Sequence, residues 1–134
     1  MLNPKMAFTV LATWFAFNIF IFWVINPAEV ETLVDDEKGQ FISRVMGYMG
    51  GMLSMMIAYT FFMLRDIEAS KTKKILLGVG SIMIVGDAII IASNMSAAAK
   101  FPTEPIMATP LPAVILWIVL TIYTLYVAII SEDS

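Results

Sequence analysis

Four long apolar runs constrain this chain more than any other feature. They cover residues 6–26, 41–64, 75–98 and 111–130. Each reaches the roughly 20 residues that a helix needs to cross the hydrocarbon core of a bilayer. Inside that core a backbone N–H or C=O has no water to bond, so a helix, which satisfies its own backbone, is the natural spanning element. The expected fold class is therefore an all-α membrane protein. It would be a four-transmembrane-helix bundle in a single domain covering residues 1–134, with the lipid bilayer as its first partner.

Composition agrees. Hydrophobic residues make up 60% of the chain, against roughly 45–50% in a soluble domain. Eleven acids and eight bases give a net charge of −3. These charges gather mainly between the runs, whereas an amphipathic helix of a soluble bundle carries them at every turn. The acidic balance and the lack of a basic, aromatic-interleaved patch argue against nucleic acid as a partner. There is no cysteine and no histidine. Thiol chemistry, iron–sulfur clusters and the usual ligands of haem and zinc are thereby removed, together with the commonest general base. No nucleotide-binding, nucleophile-elbow or zinc-protease motif is present. The sequence thus offers no catalytic residue, no metal ligand set and no cofactor.

All six prolines stand before, between or at the start of the runs, where a missing N–H costs little. The first run is too long for a signal-peptide core and lacks a small-x-small cleavage site, so it reads as an uncleaved helix. Orientation follows from the bases. Residues 27–40 hold five acids and only Lys38, whereas residues 65–74 hold Arg65, Lys71, Lys73 and Lys74. Positive charge stays in the cytoplasm, which places both termini there as well, an N-in/C-in topology in the cell membrane. The acidic stretch 29–37 suits a short surface helix with Val30, Leu33 and Val34 on one face.

Asp87 is the one ionisable residue deep in a run. It lies about twelve residues into the third span, or ~18 Å from the cytoplasmic end at 1.5 Å per residue. Asn18 and Thr121 fall near the same depth, and Gly80, Asp87 and Asn94 share a face at seven-residue spacing. Asn18, Asp87, Asn94 and Thr121 therefore form a candidate buried polar layer. It would serve either as a clamp between helices or as a proton or ion site, since a carboxylate is expensive at that depth.

The second run is two-faced. Gly47, Gly51, Ser54 and Ala58 fall within one arc, as helix-packing positions should, because small residues permit close approach. Met49, Met52, Met56 and Met63 line the opposite side. Lipid is satisfied by branched aliphatics, whereas flexible thioethers suit an irregular protein surface, so these methionines are a candidate partner interface. A copper(I) site is the alternative for soft thioethers, but three would have to converge.

Two function classes follow. The first is a non-catalytic accessory subunit of a larger membrane enzyme, of respiratory or metal-dependent monooxygenase kind, assembled with other membrane subunits through the second helix. The second is a small proton- or ion-coupled transporter or channel, working as an oligomer with Asp87 at the midplane.

Overall fold

The computed structural model describes residues 3–103 and 109–130, except for the side chains of residues 69 and 70. Among the described residues every regular element is a helix. Four helical segments are long and apolar enough to cross a membrane: Pro4–Leu33, Glu37–Leu64, Lys71–Lys100 and Leu111–Ile130. The described residues fall into two compact units. One comprises residues 8–66; the other comprises residues 3–7, 67–103 and 109–130.

The first unit is an antiparallel helical hairpin. Its leading rod runs from residue 8 of α1 (Pro4–Phe20) through a π-helical turn (Ile21–Ile25) and α2 (Asn26–Leu33); its returning rod is α3 (Glu37–Leu64). The sequence places a loop from Pro27 onward, and the structure corrects this. The amide of Asn26 donates to the carbonyl of Ile21, five residues back. The backbone register has slipped by one before Pro27, whose fixed φ suits a helix and which has no N–H to place. The rod therefore continues through Pro27 to Leu33.

The expected surface helix over 29–37 is likewise not one element. Helix ends at Leu33 and residues 34–36 are extended, with Val30 buried but Leu33 exposed. The carboxylate of Asp36 then accepts from the Gly39 amide at 2.7 Å and caps α3. The Gln40 side-chain amide donates to the Val34 carbonyl at 2.6 Å, tying the turn down.

Aromatic rings hold the far end of this hairpin. Phe61 of α3 packs on Phe8 and Phe15 of α1, with centroids 6.2 and 5.8 Å apart. At the turn end Arg44 pairs with Glu31 at 2.9 Å, both partly exposed. After α3, Arg65 lies over the Phe62 ring at 4.2 Å, a cation–π contact.

The second unit pairs α4 (Ala69–Lys100) with α5 (Leu111–Ile130). The start of α4 precedes the apolar run by six residues, so Lys71, Lys73 and Lys74 belong to its first turns and not to a loop. Lys71 pairs with Glu68 at 3.0 Å, and the Thr72 hydroxyl donates to the Glu68 carbonyl. α5 begins with the fourth apolar run and is helical throughout it. Val114, Leu120, Thr121, Thr124, Val127 and Ala128 are buried, while Ile115, Val119, Ile122, Tyr126 and Ile129 are exposed.

Five hydroxyls inside the spans bond within their own helices. Thr13, Thr60, Ser81, Thr121 and Thr124 each donate to the carbonyl four residues earlier, at 2.8–3.0 Å.

Candidate functional site

The two faces of α3 are set by its hairpin with the leading rod. Gly47, Gly51, Ser54 and Ala58 are buried. At Gly47 an added Cβ would lie 3.2 Å from the Phe22 carbonyl oxygen and 3.3 Å from Asn26 Oδ1. Phe22 is inside the π-helical turn, and its carbonyl would ordinarily find a donor four or five residues on. Asn26 N–H is committed to Ile21, and Pro27 has none. The missing side chain at Gly47 makes room for this carbonyl and for the amide of Asn26. Next along α3, Gly50 faces the ring of Phe22, and Gly51 lies directly under the indole of Trp23, which a Cβ there would overlap. The indole Nε1 donates to the Tyr48 carbonyl at 3.1 Å. Trp23 thus spans one turn of α3, with Gly51 as the notch that admits it.

The sequence singled out Gly47 and Gly51 but missed their partners. Phe22, Trp23 and Asn26 lie at the end of an apolar run, where an aromatic also reads as a membrane-interface anchor. The Gly50-Gly51 pair was the available signal for a flat notch.

On the other side of α3, Met49, Met52, Met56 and Met63 are 56%, 60%, 61% and 58% exposed. They share a face that no other described residue of their own hairpin covers. The helix holds six of the eleven methionines in the sequence.

The polar residues distribute between the units. Asn18 lies in the first. It is buried, and its amide donates to the Trp14 carbonyl of its own helix at 2.9 Å. Asp87, Asn94 and Thr121 lie in the second. The Thr121 hydroxyl is taken up by the Trp117 carbonyl at 3.0 Å. Asn94 makes a two-point clamp: its Nδ2 donates to the Thr109 carbonyl at 3.0 Å, and its Oδ1 accepts from the Thr109 amide at 2.8 Å. One face of α4 therefore meets α5 through Gly80, where a Cβ would overlap Leu125, and meets the segment before α5 through Asn94.

Asp87 stands midway between these contacts on that face, half-buried. Its Oδ1 is shielded from solvent and has no hydrogen-bond partner among the described residues. The nearest bases along α4 are Lys74 and Lys100, thirteen residues away on either side, which is about 20 Å each way. On α5 the titratable side chains are Tyr123 and Tyr126. The Tyr123 hydroxyl is also shielded and lacks a partner among the described residues. The arrangement offers a carboxyl far from any base on its own helix, and no nucleophile–base pair.

Among the described residues no three His, Cys, Asp or Glu side chains converge as a metal site would require. Comparison with protein-family models, with curated proteins and with solved structures gives no match to this chain.

Proposed function

We propose that this chain is an integral membrane protein of the cell membrane that works by assembly. In this reading it is a non-catalytic accessory subunit of a larger membrane enzyme, docked through α3. The observation that carries it is the methionine face of that helix, which its own hairpin leaves exposed. An exposed helix face left to lipid has no need of thioethers, and α5 illustrates the ordinary solution with Ile115, Val119, Ile122 and Ile129. Methionine suits a face that must fit an irregular protein surface. The absence of histidine and cysteine fits a subunit whose complex places its chemistry on other chains.

Purification from native membranes in a mild detergent, with identification of the co-migrating chains, tests this. The expected result is a large assembly containing metal-bearing subunits, from which Met52→Lys releases the chain. Migration as a lone species with Met52→Lys without effect would refute it. The same reading keeps both termini and residues 65–74 in the cytoplasm, on the strength of Arg65, Lys71, Lys73 and Lys74. A reporter fused after residue 134 should then be active only on the cytoplasmic side.

Asp87 favours a second reading, a proton- or ion-coupled transporter acting as an oligomer. Its support is the shielded Oδ1 without a partner, since intramembrane acids mark ion paths. Asp87→Asn separates the two. Assembly unaffected by the substitution fits the accessory role, and loss of proton-coupled uptake with folding intact fits transport.

A further inference from the structure

We infer that the π-helical turn at Ile21–Ile25 is a two-position joint, held in its observed position by the Trp23 indole. Unlatching it turns α2 about its own axis and parts Glu31 from Arg44. Every residue involved lies within the first hairpin.

The joint arises from Pro27. A proline has no N–H, so one carbonyl upstream of it lacks a helical donor whichever register the backbone adopts. In an unbroken α-helix that carbonyl belongs to Trp23, four residues back; in the π-helical register it belongs to Phe22, five back. The structure holds the second register, since the Asn26 amide donates to Ile21. Each register forfeits one bond at Pro27, so the count of backbone bonds does not choose between them. The observed one leaves two acceptors bordering the gap at Gly47. The Phe22 carbonyl oxygen and Asn26 Oδ1 stand 3.2 and 3.3 Å from the position of an added Cβ. Asn26 Oδ1 is shielded and has no partner among the described residues. In the α register the Asn26 amide would serve the Phe22 carbonyl instead.

Side chains make the choice. The Trp23 indole sits over Gly51 and donates to the Tyr48 carbonyl at 3.1 Å, while the Phe22 ring lies against Gly50. Both aromatics belong to the turn itself, so narrowing it swings them from these seats. A π-helical turn holds one residue more than an α-helical turn. Narrowing it rotates the segment beyond by about 100° and advances it by about 1.5 Å relative to α1. α1 is held by Phe8 and Phe15 against Phe61, so the movement falls on α2. There it breaks the 2.9 Å pair between Glu31 and Arg44. The seat of one indole thereby sets which way Glu29 and Glu31 point from α2.

The sequence lets each of the two carbonyls be observed alone. Phe22-Trp23 is the only Phe-Trp step and Trp23-Val24 the only Trp-Val step in the chain. Carbonyl carbon-13 on the first residue of a step and nitrogen-15 on the second therefore isolate one carbonyl. The full chain is tested in lipid bilayers by solid-state NMR, in which a carbonyl that gains a hydrogen bond moves downfield. In Gly51→Ala, whose Cβ overlaps the indole, the Phe22 carbonyl should move downfield and the Trp23 carbonyl upfield. Gly50→Ala, whose Cβ would lie 3.1 Å from the Phe22 ring, is the milder variant and should move both the same way as Gly51→Ala does. Spin labels on cysteines placed at positions 32 and 42, in a chain with no cysteine of its own, should change separation in the same variants. The change should reach up to about 8 Å, the chord of that rotation at the helix surface. Opposite shifts of the two carbonyls in either variant, with a changed label separation, uphold the joint. Carbonyls unmoved in both variants while helix content is intact overturn it, as do two shifts in one direction, which mean that the rods part without a change of register. Opposite shifts at unchanged label separation overturn the coupling to α2. If Gly51→Ala fails to fold, Gly50→Ala decides by the same criteria.

Discussion

Placing a methyl group on Gly51 should unlock the first hairpin. The Cβ of Gly51→Ala would occupy the space of the Trp23 indole, so either the ring swings out or the two rods separate. Swinging out breaks the Nε1–Tyr48 hydrogen bond at 3.1 Å, worth about 0.5–1.5 kcal/mol. Forcing an extra carbon into a packed contact costs about 1–3 kcal/mol more. Alanine recovers about 1 kcal/mol through its higher helix propensity, leaving a net loss of about 0.5–3.5 kcal/mol. Gly78 supplies the control, because a Cβ there meets nothing within 4 Å. Gly78→Ala should be neutral or stabilising by up to about 1 kcal/mol. Reversible unfolding in mixed micelles, followed by far-ultraviolet circular dichroism, measures both. The decisive comparison is made in a Trp23→Ala background. With the indole gone, Gly51→Ala should behave as Gly78→Ala does, neutral or stabilising by up to about 1 kcal/mol, giving a coupling of at least about 1 kcal/mol between the two positions. If Gly51→Ala matches Gly78→Ala in the wild-type background, or if the two substitutions simply add, the notch has been misread.

Gly80→Ala should destabilise the second hairpin by about 1–3 kcal/mol through its clash with Leu125, and Leu125→Ala should relieve most of that clash in the same unfolding assay. Asn94→Ala removes both hydrogen bonds to Thr109. The expected cost is about 1–2 kcal/mol, felt locally as faster amide exchange at Thr109. Arg44→Ala should cost less than about 1 kcal/mol, with most of the difference gone at high salt, because its pair with Glu31 is exposed.

The spans were legible because a run of apolar side chains is a local property that survives without knowledge of packing. For α5 the run and the helix begin at the same residue, Leu111. The start of α4 was hidden because lysines end an apolar run without ending a helix. Pro27 misled for a related reason. Proline signals a missing donor, and a slip of one hydrogen-bond register satisfies that demand as well as a break does. The arc of small residues on α3 could be read from spacing alone. Its partner could not, since nothing local in Phe22, Trp23 or Asn26 says that they cross to α3. Asp87 was conspicuous by charge, whereas the role of Asn94 depends on Thr109, fifteen residues on.

The inward-turned hydroxyls of Thr13, Thr60, Ser81, Thr121 and Thr124 bear on how each hairpin finds its alignment. A hydroxyl that spends its proton on its own helix gives no directional instruction to a neighbour. Two smooth rods without such instructions could slide or roll against each other at little cost. What stops them is steric relief: the indole seated over Gly51 in one hairpin, and Leu125 seated over Gly80 in the other. Positional information thus lies in these two notches and in the few bonds that cross between segments, Trp23 to Tyr48, Arg44 to Glu31 and Asn94 to Thr109. Removing a threonine hydroxyl should leave alignment unchanged, while filling either notch should let the rods drift along their common axis.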